Sequence, residues 1–267
     1  MNPAELTDPL AQLGLNAFGI ADPARWDALA GPARQSADLL PGTKAILVFG
    51  SGGRTLWNGF VADLTANPKH LSEEEHPLDA YVGRLVAGAE GVLGSVPRRW
   101  FFAAAAADVH VDFRLLADLA GLGGRSRMGL VLTPRFGLWL GLRAACFVAA
   151  PLPFSPAAAA DPCAGCPAPC IAACPGEAFV DGQWSVDRCS AFHAVSARCA
   201  SSCDARCACP VAPDARYDAD EVLYHYDRAR GRARLRELAG VTYDTFEGVG
   251  PHWQTWRRKV DVHRGRV

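Results

Sequence analysis

The chain has 267 residues, half of them hydrophobic, and its 27 Lys and Arg against 28 Asp and Glu give a net charge of -1. This balance excludes a global basic field, so bulk electrostatic attraction to nucleic acid or to an anionic membrane is not indicated. The length suits one domain of ordinary size plus a second small module.

The start of the chain and its apolar stretches indicate a cytoplasmic protein without a membrane span. Residues Met1 to Glu5 form neither a basic nor an apolar leader segment. The longest apolar region, Met128 to Phe154, is interrupted by Arg135, Arg143 and three prolines. It therefore lacks the roughly 20 apolar residues that a membrane helix needs.

The first part of the chain predicts helices around a buried strand. Apolar spacing predicts a helix over Ala4–Leu13 and a short strand over Leu15–Ile20. Lys44–Gly50 is a continuous apolar run bounded by glycines, which is typical of a strand buried on both faces. Pro77–Leu93 predicts a long helix, because proline suits the first helical position and an apolar stripe follows it.

The next segment predicts shorter elements. Arg99–Ala103 and Val109–Phe113 have the composition of a strand and a strand end. Arg114–Ala120 predicts a short helix closed by Gly121, a residue type that adopts the left-handed conformation after a helix.

Two apolar stretches in the middle of the chain predict a long hairpin. Met128–Thr133 and Leu138–Val148 are joined by a Pro-Arg-Phe-Gly connection, which is typical of a tight turn. Alternation along the second strand predicts an aliphatic core face and an opposite face with Trp139, Gly141 and Arg143. A buried Arg needs a partner, which is either a protein carboxylate or a ligand group.

Nine of the ten cysteines lie between Cys163 and Pro210. The first group ends in Cys174-Pro175 and resembles the bacterial ferredoxin run, in which thiolates hold iron-sulfur clusters. The second group ends in Cys209-Pro210. Two groups that each end in Cys-Pro predict two 4Fe-4S clusters.

The ferredoxin pattern also predicts how the cysteines are shared, because the Cys before Pro binds the other cluster in two-cluster ferredoxins. One predicted ligand set is Cys163, Cys166, Cys170 and Cys209. The other predicted set is Cys174, Cys189, Cys199 and Cys203. Cys207 is left over and could replace Cys209 or Cys203.

Three other interpretations of the cysteines are open. A disulfide framework is typical of short secreted chains, and structural zinc needs only four ligands. Both fit this long chain and its nine clustered cysteines less well than iron-sulfur does. A single cluster instead of two is the third alternative.

The region after the cysteines predicts a helix and a tail. Asp218–Leu238 has helical character, and five arginines recur at every second residue from Arg228 to Arg236. This spacing spreads them around a helix, so we expect a solvent-exposed helix, with a docking patch for an anion or an electron donor as the alternative. The tail, Val241–Val267, has no clear periodicity and could be an arm over a site or a partner subunit.

Several motifs resemble two related families. The motifs shared with epoxyqueuosine reductase, a cobalamin-dependent enzyme with two four-iron clusters, are Ala120-Gly121-Leu122-Gly123, Pro134-Arg135-Phe136-Gly137-x-Trp139, Pro151-Leu152 and the cysteine block with Arg188-Cys189 between its halves. The segments that resemble CblC-type cobalamin-processing proteins are Thr133–Val148, Pro77–Val86 and Ala215-Arg216-Tyr217.

The resemblance implies an α+β fold with a flavin-reductase-like mixed sheet and helices, followed by a C-terminal ferredoxin-like iron-sulfur module. The expected boundaries are 1–158 for the corrinoid or flavin domain, 159–215 for the cysteine module and 216–267 for the C-terminal helix and tail. The implied cofactor-binding residues are Arg135, Trp139, Gly141 and Arg143.

The resemblance also has departures. Asp112 is the candidate for the proton-donating Asp of epoxyqueuosine reductase, although its distance from the Ala-Gly-Leu-Gly turn is shorter and the usual following Pro is absent. Ser126-Arg127 replaces the family's Gly-Lys. Only 57 residues follow Pro210, too few for that family's helical-repeat module, so a tRNA substrate is not expected.

Two classes of function follow. The first is an iron-sulfur oxidoreductase whose clusters pass electrons to a corrinoid, or alternatively to a flavin such as FMN, on the α+β domain. The second is a non-enzymatic electron carrier or cobalamin-handling partner. For either class, the expected partner is an electron donor protein such as a ferredoxin or flavodoxin.

Overall fold

The structure, a computed structural model, describes residues 3–103, 111–158 and 161–246. Its strands are β1 Ala17–Ala21, β2 Ala45–Ser51, β3 Arg98–Phe102, β4 Gly124–Arg125, β5 Val131–Leu132, β6 Gly141–Val148, β7 Phe179–Val180 and β8 Gln183–Trp184. The main sheet has the order β1-β2-β6-β3, while β4 pairs with β5 and β7 with β8.

The helices pack on both faces of the main sheet and follow it in the chain. They are α1 Pro3–Gln12, α2 Pro23–Asp27, α3 Ser36–Leu39, α4 Thr55–Ala66, α5 Lys69–Ser72, α6 Pro77–Ala89, α7 Phe113–Leu119, α8 Pro169–Ala172, α9 Val186–His193, α10 Ala197–Ser201, α11 Asp204–Cys207, α12 Ala219–Tyr226 and α13 Arg228–Ala239. Short 3-10 turns lie at Pro32–Arg34, Glu90–Leu93 and Pro213–Ala215.

The α+β fold class is confirmed, but the sheet is not mixed. The pairings of β1 with β2, β2 with β6 and β3 with β6 are all antiparallel. None of the helices in the described ranges is both long and apolar enough to cross a membrane.

Strand β2 is buried on both faces, as its sequence predicts. Leu47 and Phe49 pack in one hydrophobic cluster with residues of α1, α4 and α6. Ile46 and Val48 pack in a second cluster with residues of α2, α3 and α7. Because helices cover both faces, the strand has no polar side and its sequence does not alternate.

Several other predicted elements are confirmed. Helices α1, α6 and α7 and strand β3 lie where the patterns predict them. Gly121 adopts a φ of 73° after α7, in the left-handed region expected of a helix-ending glycine. The beginning of the predicted Val109–Phe113 strand and most of the predicted C-terminal arm, from residue 247 onward, lie outside the described residues. The described end of that predicted strand is wrong, because Asp112 caps α7 and Phe113 is the first residue of the helix.

The predicted long hairpin is wrong. Strand β6 is hydrogen-bonded to β2 on one edge and to β3 on the other, so no edge is available to the preceding segment. That segment forms β5, which pairs with β4. Within the connection, Thr133 and Gly137 form an isolated bridge.

The predicted division of β6 into one core face and one ligand face is also wrong. Ala144, Cys146 and Val148 belong to the first hydrophobic cluster. Ala145 and Phe147, which alternate with them, belong to the second. Most of β6 is therefore core on both faces, and only its N-terminal end is available to a site.

The predicted C-terminal helix is two helices, and it is not simply solvent-exposed. Asp227 separates α12 from α13, because its side chain accepts a hydrogen bond from the Arg230 backbone N-H at 3.1 Å and begins a new helix. Arg232 is buried and donates to both carboxylate oxygens of Asp244. Arg228 is buried as well and donates to the backbone carbonyl of Glu75.

Candidate redox site

Four thiols surround a small cavity at the first cysteine group. This cavity has a volume of about 40 Å³ and is lined by Cys163, Cys166, Cys170 and Cys209 together with apolar side chains such as Met128. Asp161 begins the loop by accepting a hydrogen bond from the Cys163 backbone N-H at 2.8 Å.

The pKa values of these thiols reflect how they are packed. Burial raises the pKa of Cys170, and repulsion from Cys163 and Cys209 raises it further. Burial likewise raises the pKa of Cys209, which is also repelled by Cys163 and Cys166. The four thiols are therefore electrostatic neighbours.

The second predicted ligand set comprises cysteines of three short helices and Cys174, which follows α8. Cys189 lies on α9, Cys199 on α10, and Cys203 at the N-terminal end of α11. Burial raises the pKa of Cys189 to about 11, with repulsion from Cys203, Cys174 and Cys199 adding to the shift. Burial is the main cause of the raised pKa of Cys203, and repulsion from Cys174 raises that pKa further.

Four of the predicted ligand thiols thus line one cavity, and Cys174, Cys199 and Cys203 act electrostatically on Cys189. Cys209 lines the small cavity, whereas Cys207 is not part of its lining. Cys146 lies in the middle of β6, fully buried, and burial raises its thiol pKa. That these sets bind clusters stays a prediction.

The cysteines of the described residues form neither a disulfide nor a site for a single metal ion. None of the ten cysteines forms a disulfide. In the part of the chain that the structure describes, no three or more His, Cys, Asp or Glu converge as ligands of one metal ion. Thiols arranged around a cube of several metal atoms need not converge on one point. Metal charge would also stabilise the thiolates that burial alone disfavours.

A larger cavity of about 360 Å³ lies between the second thiol group and the N-terminal end of β6, and we call it the Arg143 cavity. Its lining comprises Met128, Leu130, Leu140, Gly141, Arg143, Trp184, Cys189, Ser190, His193, Cys203, Arg206, Tyr217, His225 and Tyr226. The volume lies within the range of small-ligand sites. Elements distant in sequence therefore meet around one space that borders two of the thiols.

Arg143 lies at an irregularity in the sheet. Phe49 pairs with Ala144, but the next residue of β2, Gly50, pairs with Leu142, so Arg143 is the extra residue of a bulge. A bulge re-aims a side chain, and here Arg143 Nε donates to Ser51 Oγ at 2.8 Å. The group that accepts this hydrogen bond is a hydroxyl. The sequence analysis had offered a protein carboxylate as one of two possible partners of Arg143.

Arg206 fastens the cysteine segment to the sheet domain. Its Nε and Nη2 donate to the Leu138 carbonyl at 3.2 and 2.8 Å. Its guanidinium lies 4.1 Å from the centroid of the Trp139 ring and 5.1 Å from that of Tyr217. Trp139 therefore contacts Arg206 behind the cavity wall and is not among the lining residues.

Glu221 and His225 form a buried pair on α12. Glu221 Oε1 lies 3.9 Å from His225 Nε2, and neither this nitrogen nor Glu221 Oε2 has a hydrogen-bond partner. Burial raises the pKa of Glu221 to about 7, opposed by Arg143. Burial, with Arg143 and Arg206 nearby, lowers the pKa of His225 well below its usual value.

Two predicted site residues lie away from the cavity. Asp112 caps α7, and its Oδ1 accepts from the backbone N-H groups of Arg114 and Leu115 at 3.0 and 3.2 Å. Arg135 is exposed, lies 4.7 Å from the Phe136 ring centroid and donates to the Asn16 carbonyl at 3.4 Å. Neither residue lines the Arg143 cavity.

Sequence reasoning missed Ser190, Arg206, Glu221 and His225. Arg206 has a weak signal, since it is a large cation between two predicted ligand cysteines. The sequence signal of Glu221 and His225 is only their spacing of four residues, which places them on one face of a helix. No local pattern shows that this face lies near Arg143.

No protein-family model matches the chain, and no curated protein matches its sequence. Solved structures do match its fold. Epoxyqueuosine reductase from Streptococcus thermophilus has a TM-score of 0.56 and 12% identity, over 91% of this chain and 80% of that one. The B12-trafficking protein CblC from C. elegans has a TM-score of 0.58 and 11% identity, over 90% and 98% of the two chains.

The chain has the fold of epoxyqueuosine reductase and of CblC. A third structure, epoxyqueuosine reductase with an epoxyqueuosine-modified tRNA-Tyr stem loop, has a TM-score of 0.56 and 16% identity, over 83% of this chain and 68% of that one. The resemblance that the sequence motifs predicted to epoxyqueuosine reductase and CblC is thereby confirmed. At these identities the three structures share a fold with this chain, and its chemistry rests on its own residues.

Proposed function

We propose that this protein is an iron-sulfur reductase in which two 4Fe-4S clusters pass electrons to a group bound in the Arg143 cavity. The observation that carries the proposal is that Cys189 and Cys203, two thiols of the second set, line this cavity. A cluster held by these thiols would border the bound group, which favours electron transfer between them.

The two sets of thiols are also joined by a shared apolar environment. Cys163 of the first set and Cys203 of the second pack in the same hydrophobic cluster, which includes Met128 and Leu138. This arrangement supports an electron path from the outer set through the inner set to the cavity. Residues 159–215 would then be the ferredoxin-like module, supplied with electrons by a ferredoxin or flavodoxin.

A corrinoid is the electron acceptor that the family resemblance favours, and a flavin is the alternative. The cavity suits a flat ring system or the edge of a corrinoid, since a whole corrinoid exceeds its volume. A bound corrinoid would supply a cobalt centre that accepts electrons singly. Arg143 would bind a polar group of the cofactor, and Leu140 and Met128 would exclude water from the reacting face.

The experiment is a binding titration of anaerobically reconstituted protein with aquacobalamin and, separately, with FMN. Arg143→Lys keeps the charge but loses the planar fork of hydrogen-bond donors. We expect it to weaken binding of the acceptor by roughly tenfold to a hundredfold, because it loses one charge-assisted hydrogen bond. Arg135→Lys is the matched control, because Arg135 lies outside the cavity, and it should bind like the wild type.

Two results would count against the proposal. Failure to bind either cofactor, with both clusters present, would favour the non-enzymatic electron carrier. A collapse of the melting temperature in Arg143→Lys, with unchanged affinity per folded molecule, would make Arg143 a structural residue.

A further inference from the structure

The polar walls of the Arg143 cavity are suited to an anion. Arg143 and Arg206 supply two cations and His193 and His225 two imidazoles, while no Asp or Glu is among the described residues that line the cavity. Arg206 is already engaged by the Leu138 carbonyl. Arg143 uses Nε for Ser51 and is the cation that faces the cavity from the bulge.

Two polar atoms at the cavity have no hydrogen-bond partner. Ser190, only 4% exposed, has an Oγ that is buried and unpaired, and His225 Nε2 is likewise unpaired. Because an unsatisfied buried polar group is unfavourable, a native structure usually pairs such groups with a ligand or water. Both residues line the same cavity.

The remaining walls are apolar. They comprise Met128, Leu130, Leu140 and the ring of Trp184. A small inorganic ion would leave these surfaces without a partner. The walls instead suit a ligand with an apolar body and one charged end.

We propose that the Arg143 cavity binds an organic carboxylate, whose charged end is held by Arg143 together with Ser190 and His225. This inference rests on the proposed function only in taking the carboxylate-bearing compound as the group that accepts electrons in the cavity, where Arg143 would bind it in place of a corrinoid or flavin. A phosphate group of a cofactor shares the anionic oxygen chemistry, and the experiment below separates the two sources.

Glu221 lies behind His225 and makes the binding depend on a proton. An ionised Glu221 would repel a carboxylate in the cavity, whereas protonated Glu221 would not. Because its pKa is about 7, the proportion of the protonated form changes around neutral pH. The titratable and charged groups that face it are Arg54, Arg143, Arg206, Tyr217, Asp218 and His225.

The test uses the reconstituted full-length chain without corrinoid and three probes: benzoate, its neutral analogue benzamide, and inorganic phosphate. Benzoate should bind and benzamide should bind far more weakly. If only the protein with protonated Glu221 binds benzoate, the affinity should fall about tenfold between pH 6 and pH 8. The charge of benzoate itself does not change over this range.

Variants test the residues in turn. Glu221→Gln should remove the pH dependence and bind benzoate at pH 8 as tightly as the wild type does at pH 6. Glu237→Gln is the matched control, because Glu237 is exposed and paired with Arg234, and it should keep the wild-type pH dependence. Ser190→Ala should weaken benzoate binding several-fold while the clusters, followed by their visible absorbance, remain.

Three outcomes would overturn the inference: equal binding of benzoate and benzamide, binding of phosphate but not of benzoate, or an unchanged pH dependence in Glu221→Gln. The second would assign the site to a cofactor phosphate. Iron analysis of the same samples separates this inference from the proposed function. Benzoate binding as expected in protein that holds no iron would support the carboxylate site and refute the reductase.

Discussion

The guanidinium of Arg143 occupies the space that a side chain at position 141 would need. A Cβ atom placed on Gly141 would lie 2.6 Å from Arg143 Nη2 and 2.7 Å from its Cζ, which is closer than real contacts allow. The sequence analysis placed Gly141 among the residues implied to bind a cofactor. The structure shows that glycine is required there so that Arg143 can fold back across the strand.

Gly141→Ala should therefore displace Arg143 and break its hydrogen bond with Ser51. We expect a loss of stability of about 1–3 kcal/mol, as for other overpacked sites, and weaker binding of any ligand in the Arg143 cavity. Chemical denaturation and the cofactor titration measure the two effects. Gly83→Ala is the control, because a Cβ at this position in α6 meets nothing within 4 Å. Gly83→Ala should raise the free energy of unfolding by about 0.5–1 kcal/mol. If the Gly141→Ala protein were as stable as the Gly83→Ala protein, the steric argument would be wrong.

Glu221→Gln should stabilise the protein at alkaline pH. Burial raises the pKa of Glu221 in the folded protein to about 7, so the folded state favours the protonated form. The wild type should lose stability as the pH rises from the unfolded value of about 4.3 through 7, by on the order of 3–4 kcal/mol. Thermal unfolding at pH 5 should show little difference between the two proteins, and at pH 8 the variant should melt higher. Equal melting temperatures at pH 8 would show that Glu221 ionises without cost.

Removing Asp244 should be strongly destabilising. Its carboxylate accepts hydrogen bonds from Arg232 at 2.6 and 2.9 Å, and both side chains are almost fully buried. Asp244→Ala leaves the buried guanidinium without its counter-charge, which typically costs about 3–5 kcal/mol. Asp220→Ala, which breaks the partly exposed pair with Arg234, should cost far less, because solvent screens an exposed ion pair. Similar losses in the two variants would show that the buried pair is no stronger than the surface pair.

The Asp244 pair also predicts acid sensitivity. Burial acts to raise the pKa of Asp244, but hydrogen bonds from Arg232 and from the Phe246 backbone lower it overall. A carboxyl with a lowered pKa stabilises the fold above its unfolded value of about 3.9, and this stabilisation is lost as the pH falls through the folded value. The stability difference between wild type and Asp244→Ala should therefore shrink below about pH 4. A difference that stays constant from pH 7 to pH 3 would refute this linkage.

Iron content tests the two thiol sets. Reconstituted wild type should contain about eight iron atoms per chain, and Cys170→Ser and Cys189→Ser should each lose one cluster. Cys146→Ser and Cys207→Ser are controls that should keep both clusters. About four iron atoms in the wild type would mean one cluster, and bound zinc without broad visible absorbance would end the iron-sulfur interpretation.

The local elements of this protein could be predicted from its sequence because their signals are local. The apolar run of β2 reflects burial on both faces, and Pro77 and Gly121 mark a helix start and a helix end through backbone geometry alone. Short cysteine spacings likewise restrict which thiols can meet, and the four thiols that line the small cavity are ones that the pattern grouped together.

Only the tertiary structure decided where polar side chains find their partners. The division of β6 into a core face and a ligand face failed because both faces of its second half are buried, and at Arg143 a single extra residue in the pairing of β2 with β6 re-aims the side chain. The arginine pattern of α13 predicted exposure, but Arg232 is buried because Asp244 and three backbone carbonyls from residues 71–75 satisfy it. His225 of α12 lines the Arg143 cavity together with Gly141 and Arg143, which lie about 80 residues earlier in the chain, and Glu221 lies beside His225. Such long-range contacts depend on how whole helices and strands pack, so the local sequence around each residue does not predict them.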